Sequence, residues 1–398
     1  MHVTHVITRL IVGGAQENTL ASVLGLRQRP GFTVDLVSGP TTGPEGSLES
    51  RVRDLPGLLI RVPELVRPVA PWTDLLAWRH LVRLFRQTRP QVVHTHSGKA
   101  GVLGRLAARQ ARVPLVLHTI HGPSFGPWQG ALANAVFLRA ERAAARATDH
   151  FVVVAHAMTR QYLAAGIGNP TQYTRIFSGF DLQPFLHARR SPALAAELGL
   201  GPEDFVVGKV ARLFELKGHE ELFQAAPGLL RRCPRLKLLL VGDGPWRLRF
   251  EALARQAGLR DRVIFTGLVP PEEIPHHLAL MDVLVHLSRR EGLARALPQA
   301  LAAGIPVVAA DADGAAEVCL DGETGFLIPP GQPEMLIDRV GRLADSRELR
   351  ARLGSQGRAF VRPRFSTGTM VDELALLYPR LAREKGLPAP EPTVAPAA

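Results

Sequence analysis

The chain has 398 residues, 46% hydrophobic and 21% charged, with a formal net charge of +12. That length exceeds one ordinary core, so two domains are expected, and the apolar content excludes a disordered chain. No apolar run reaches the roughly 18 residues that cross a bilayer, and the sequence starts as a strand with no charged region ahead of a long apolar one. Cys233 and Cys319 form neither a disulfide framework nor a metal spacing, which predicts a reducing, cytoplasmic setting. The charge is uneven: residues 1–190 carry 22 Lys and Arg against 10 Asp and Glu, whereas residues 191–398 carry 26 of each sign. A one-sided field suits an anionic partner for the first half, such as an acidic membrane surface or a phosphorylated acceptor. An arginine-rich composition with no site behind it explains the same numbers. Nucleic acid is disfavoured, because there are only three tyrosines and no recognition motif.

Strand-like apolar runs fall at 3–8, 33–38, 92–96, 115–119 and 151–154, each followed by a helical pattern. A second series lies at 206–211, 237–241, 263–266, 283–287, 307–310 and 325–328. The alternation predicts an α/β protein of two Rossmann-like, doubly wound domains facing across a cleft, with ligands at the carboxyl ends of the strands. The pattern breaks near 178–190, giving expected domains at 1–183 and 184–365. A closing amphipathic helix is expected over 366–386 and a disordered tail over 387–398.

The first strand runs into Val12-Gly13-Gly14-Ala15-Gln16. Glycines there let backbone N–H groups approach a phosphate at a helix start, although a plain tight turn fits equally well. The Gly-x-Gly-x-x-Gly fingerprint is absent, which disfavours a nicotinamide cofactor. Residues 72–89 combine the apolar Trp72, Leu75, Leu76, Trp78, Leu81, Val82 and Phe85 with Arg79, Arg83, Arg86 and Arg89. A helix covering the sheet has this stripe, and so does one lying on a membrane. His94, His96, His118 and His121 crowd two strand ends, but no nearby cysteine or matched acid supports metal ligation. Lys99, with Ser97, falls at a helix start, where it meets an acceptor phosphate or simply belongs to a capped helix.

In the second half, a strand ends at Arg212-Leu213-Phe214-Glu215-Leu216-Lys217-Gly218. Two cations five residues apart in a βα loop can clamp a diphosphate, and a surface Arg and Lys are the plain alternative. Gly242-Asp243-Gly244 repeats the glycine logic in the next turn, and Phe265-Thr266-Gly267 can present backbone groups to a base. Glu291 follows the strand 283–287, ahead of a helix expected to open near Leu297 and Pro298 and to end at Gly304. An acid beside a helix start can hold a sugar hydroxyl and a phosphate together, whereas a solvated turn glutamate is the plain reading. Asp311-Ala312-Asp313 matches an Asp-x-Asp metal pattern, but a metal-free loop suits its place after a late strand better.

Taken together, these residues resemble the retaining GT-B glycosyltransferases of family GT4. The resemblance rests on Gly13-Gly14-Ala15-Gln16, His94-Thr-His-Ser-Gly-Lys and His118-Thr-Ile-His-Gly in the first half. In the second half it rests on Ala211-Arg-Leu through Lys217-Gly, Gly242-Asp-Gly-Pro, Phe265-Thr-Gly, Glu291-Gly, Ala300-Leu-Ala-Ala-Gly-Ile-Pro-Val-Val and Glu317 ahead of Gly322. It implies catalytic roles for His121, Arg212, Lys217 and Glu291, the two cations holding a donor diphosphate and Glu291 the donor-sugar hydroxyls. It implies donor contacts for Gly13, Gly14, Gly242, Phe265, Thr266, Leu293, Ala294, Arg295 and Gln299, and places Lys99 and Gln16 on the acceptor side. It implies no metal and no cofactor, a nucleoside diphosphate sugar as donor, and a glycan or lipid-linked acceptor in cell-surface polysaccharide synthesis, with the protein peripheral at the inner membrane surface. Two positions depart from the family. Gln299 stands where a second glutamate meets the nucleotide ribose, and Ala294-Arg295 stands where small or aliphatic residues are common. A sugar-nucleotide 2-epimerase on the same fold, or a binder without turnover, are the rival readings.

Overall fold

The computed structural model describes residues 1–43, 46–96 and 98–391. Ser97 and residues 392–398 of the expected tail lie outside them. The chain divides into two compact units, Met1–Phe180 with Ser366–Ala398, and Asp181–Phe365.

The first unit is built on a sheet of β1 (His2–Ile7), β2 (Thr33–Ser38), β3 (Leu59–Arg61), β4 (Val92–His96), β5 (Leu115–Ile120), β6 (His150–Val153) and β7 (Tyr173–Arg175). The order is β3-β2-β1-β4-β5-β6-β7 and every pairing is parallel. Its central strands are buried along nearly their whole length, as parallel strands covered on both faces must be. The covering helices are α1 (Gly14–Arg27), α2 (Ser50–Arg53), α3 (Pro71–Thr88), α4 (Gly98–Gln110), α5 (Ala131–Ala145) and α6 (His156–Ala164). The edge strands β3 and β7 have three residues each, too short for periodicity to register, and were not foreseen. Helix α3 does cover the sheet, through Ala77, Leu81, Val82 and Phe85. Its first turn behaves differently: Trp72 is 82% exposed, and Leu76 also faces outward.

The second unit opens with α7 (Gln183–Leu186) and α8 (Pro192–Glu197). Its sheet comprises β8 (Phe205–Val210), β9 (Leu236–Val241), β10 (Val263–Gly267), β11 (Val283–His286), β12 (Val307–Ala310) and β13 (Gly325–Ile328), in the order β10-β9-β8-β11-β12-β13, again all parallel. Helices α9 (His219–Arg232), α10 (Arg247–Gln256), α11 (Ile274–Leu278), α12 (Ala296–Ala302), α13 (Pro333–Asp345) and α14 (Arg347–Val361) complete it.

The last helix, α15 (Thr367–Glu384), returns to the first unit. Ser366 caps it by accepting a hydrogen bond from Thr369 N at 2.9 Å. Met370, Val371, Leu374, Tyr378 and Leu381 join the core formed by Val3, Leu20, Val23 and Leu26. Leu387 and Ala389 pack against that same core. The described part of the expected tail, residues 387–391, thus includes two residues in apolar contact with this core.

Candidate functional site

In the second unit the sheet order sets the site. Strands β8 and β11 are parallel neighbours, so the loops leaving their carboxyl ends lie side by side. Lys217, from the first loop, forms an ion pair with Glu291, from the second. The approach of the two loops demands glycine at 218: φ is +71°, and a Cβ there would lie 2.0 Å from the Leu287 carbonyl oxygen. Arg289 N donates to Leu216 O at 2.9 Å and Ser288 Oγ donates to the same oxygen at 3.2 Å. Glu291 N donates to Asp313 Oδ2 at 2.6 Å, and Gly314 N to Gly292 O at 3.1 Å. The second acid of the Asp-x-Asp pattern thus holds the backbone of the Glu291 loop. The sequence reading favoured a metal-free loop here but did not foresee this backbone contact.

Arg212 is exposed, with its guanidinium over the Phe214 ring at 5.5 Å. The Gly242-Asp-Gly turn packs onto the Arg212 loop. A Cβ on Gly242, where φ is +134°, would lie 2.3 Å from Ala211 O, and one on Gly244 would lie 2.4 Å from Leu213 O. Phe265 and Thr266 sit half-buried on the edge strand β10, with Thr266 Oγ1 donating to Gly267 O at 3.0 Å. Helix α12 begins at Ala296, one residue before the expected start, and has only seven residues. Gly304 follows it at φ +79°. Leu293, Arg295 and Gln299 are half-buried around its start and Ala294 is buried.

Beneath the Lys217 and Glu291 pair lies a group that sequence reasoning also missed. Lys209, on β8, is 1% exposed, and its ammonium has no hydrogen-bond partner among the described residues. Burial, then the charge of Lys217, pushes its pKa down to about 7. The buried His219 and His286 are pushed well below the usual histidine range, by burial first and then by Lys209. A lysine at the centre of an otherwise apolar strand was the available signal.

In the first unit a cavity of about 730 Å³ is lined by His121, Gln16, Lys99, Thr119, Glu141 and Tyr162, among others. Lys99 is already engaged there, paired with the Asp74 carboxylate and bonded to the Pro68 carbonyl. Gly13 caps α1 without a side-chain bond, and α1 opens at Gly14. A Cβ on Gly13 would meet only the Gln16 amide oxygen, at 2.8 Å. One wall is a buried ion pair, Arg105 to Glu141 at 2.7 Å, with Ser124 Oγ donating to Glu141 at 2.8 Å.

Behind His121 stands a cluster of histidines. His121 Nε2 is 3.1 Å from His96 Nδ1, and His96 Nε2 is 2.9 Å from His5 Nδ1. His94 lies 2.6 Å from the Tyr378 hydroxyl and 2.7 Å from Thr119 Oγ1, and His118 Nδ1 lies 2.9 Å from Thr95 Oγ1. Burial pushes His5 down to about 3 and His121 to about 4, and holds His94, His96 and His118 well below their usual range. All five are neutral at pH 7. His5, His94 and His96 are close enough to ligate one ion. The nitrogens of His94 meet Tyr378 and Thr119, and those of His96 meet His5 and His121, so hydrogen bonds already engage them.

Residues 191–360 match the family described as Glycosyl transferases group 1, and residues 13–176 match the Glycosyl transferase 4-like domain. The putative glycosyltransferase EpsD of Bacillus subtilis (strain 168) is 31% identical over 312 residues, 77% of this chain and 80% of that protein. The chain belongs to the glycosyl transferases group 1 family. A second relative of this glycosyltransferase is a GDP-mannose-dependent alpha-(1-6)-phosphatidylinositol monomannoside mannosyltransferase of Mycobacterium tuberculosis. It is 32% identical, over 80% of this chain and 82% of that protein. The crystal structure of Anabaena Alr3699/HepE with UDP-glucose shares the fold, with a TM-score of 0.78 at 24% identity over 95% of this chain and 99% of that one. The glycosyltransferase therefore has the GT-B fold, as the resemblance implied. Among the described residues, no helix is long and apolar enough to cross a membrane.

Proposed function

We propose that this glycosyltransferase moves a hexose from a nucleoside diphosphate sugar to a lipid-linked or glycan acceptor, with retention at the anomeric carbon and without a metal. The observation that carries the reading is the Lys217 and Glu291 pair, a cation and a carboxylate joined above two adjacent strands. The ammonium suits the diphosphate oxygens, where negative charge develops as the donor bond breaks. The carboxylate accepts hydrogen bonds from sugar hydroxyls. Arg212 adds a second cation for the leaving group, so protein side chains supply the charge a metal would bring.

In a retaining transfer of this kind the acceptor's proton needs a group to receive it. His121 is a weak base, its pKa pushed by burial down to about 4, and Glu291 is engaged with Lys217. The acceptor's proton therefore passes to the departing phosphate oxygen. The bond from the anomeric carbon to that oxygen breaks while the bond to the acceptor oxygen forms on the same face. Both a UDP-glucose complex and a GDP-mannose-dependent enzyme stand among the similar proteins, so both nucleotides belong in the test.

A membrane-borne acceptor accounts for the surface of the first unit. Exposed Val69 and Val136 stand in the lining of the cavity, and Trp72, Leu76 and Leu132, close to them in sequence, are exposed too. Arg9 and Arg67 line it too. Apolar side chains beside cations fit a lipid surface with anionic headgroups, and the mannosyltransferase relative is named for a phosphatidylinositol-based acceptor. On this reading the protein works in the cytoplasm as a peripheral membrane enzyme. The test is a screen of UDP- and GDP-sugars for nucleotide release, with and without lipid acceptors. Turnover with product of unchanged anomeric configuration in the presence of EDTA is expected. Inverted product, dependence on added metal, or an epimer formed from donor alone overturns the reading.

A further inference from the structure

The chain of imidazoles behind the cavity allows its protons to be counted. A neutral imidazole carries one N–H and one bare nitrogen, and each contact needs one donor and one acceptor. His96 bonds at both nitrogens, to His5 at 2.9 Å and to His121 at 3.1 Å, so only two arrangements satisfy both contacts. In the first, all three rings carry hydrogen on Nδ1: His5 donates to His96, and His96 donates to His121. In the second, all three carry it on Nε2, and the direction reverses.

The far end of the chain decides between them. His5 is fully buried, and its Nε2 has no hydrogen-bond partner among the described residues. The second arrangement puts an N–H there with nothing to receive it. The first leaves only a bare lone pair, and orphaned buried N–H groups are the rarer defect in folded proteins. His121 lines the cavity and is only half-buried, and with its Nε2 engaged by His96 the first arrangement leaves its Nδ1–H as the group it can offer a ligand.

We propose that His5 and His96 are positioning residues that lock His121 as the Nδ1–H tautomer, so that His121 meets its ligand as a hydrogen-bond donor and has no nitrogen left to act as a base. This rests on the reading of the cavity as part of a glycosyl-transfer site, where the partner of the N–H is an oxygen of the sugar or of the departing phosphate. Burial, which keeps His5 and His121 neutral, keeps the chain in one protonation state at neutral pH. The device differs from a carboxylate behind a histidine, since it orients the ring without bringing a charge into the core.

The test reads the tautomer directly. Full-length protein labelled with ¹⁵N-histidine is examined by long-range proton–nitrogen correlation without substrate, with the His121 signals assigned by their loss in His121→Gln. Nδ1 protonation with a bare Nε2 at His121 is expected, and Nε2 protonation overturns the proposal. His96→Leu removes the donor and is expected to give mixed His121 tautomers and a fall in kcat of about tenfold, the worth of one hydrogen bond, with nucleotide Kd unchanged. His96→Asn, which keeps an N–H at the level of Nδ1, is expected to restore both. Equal loss in the two variants marks a packing role and overturns the proposal, and the wild-type spectrum decides if neither variant folds. If His121→Gln leaves transfer unchanged, the place of His121 in the reaction falls while the tautomer result stands.

Discussion

In the first unit the polar groups behind the cavity are neutral imidazoles, buried and bonded to one another in a row. In the second they are charged groups, Lys217 paired with Glu291 on two loops and Arg289 paired with the buried Glu221 of α9. The contrast shows two ways to hold a site open for a polar ligand. A neutral array tolerates burial because no ionic hydration is lost, and it stays rigid. An ion pair on loops is weaker but can exchange partners when an anion arrives. The second unit adds the unpartnered Lys209 beneath its pair, which biases that site toward negative charge.

The largest test of this contrast is Lys217→Ala. If the cation serves the leaving group, transfer falls by at least about 100-fold while the fold persists, in line with the loss of one preorganised charge-stabilising donor. Activity within tenfold of wild type removes the assignment, and circular dichroism checks the fold.

Acid comes next, and it addresses the neutral array. His5, His94, His96 and His118 have lowered values in the folded chain, whereas in the unfolded chain they titrate near 6.5. Below that pH the unfolded state binds more protons, so their contribution to stability is complete above about 6.5 and is lost as pH falls. Each costs up to about 1.4 kcal/mol per pH unit. A melting temperature that drops steeply between pH 6.5 and 5 is expected, and a flat profile over that range contradicts the buried neutral array.

A smaller effect separates the support of Glu291 from Glu291 itself. Asp313→Ala removes the acceptor of the Glu291 N–H and places alanine at φ +49°. It should lower kcat/KM by about tenfold. Asp313→Asn keeps an acceptor and tolerates that backbone, so it should stay close to wild type in the same assay. Loss in both variants assigns Asp313 a role through its charge. The smallest effect belongs to Gln299→Glu, which should change donor Kd by a few fold with little change in kcat, because an amide and a carboxylate differ there only in donors and charge. No change in either makes Gln299 a plain residue of α12.

The strands were readable because parallel strands buried on both faces are apolar runs, and each longer strand begins and ends within about a residue of its expected place. Strands β3 and β7 were not, since three residues carry no period. The second site was legible because charge and glycine cluster in its loops: Lys217, Gly218 and Glu291 sit where the loops pack. The first site was harder to read. His5 and His96 belong to different strands, and only their register across β1 and β4 makes them neighbours. The contact of Asp313 was not legible, because nothing in a short acidic pattern marks a carboxylate that serves a backbone N–H. The packing of Leu387 and Ala389 against the first core was not legible behind a Pro and Ala composition typical of tails.

The return of α15 has a consequence for how the protein is made. The second unit is one unbroken segment, Asp181–Phe365, inserted into the first. During synthesis it has its whole sequence available while the first unit still lacks Met370, Leu374 and Tyr378 from its core. The first unit therefore cannot complete its core before the whole second unit has been made, and the hydroxyl that anchors His94 reaches it only after that.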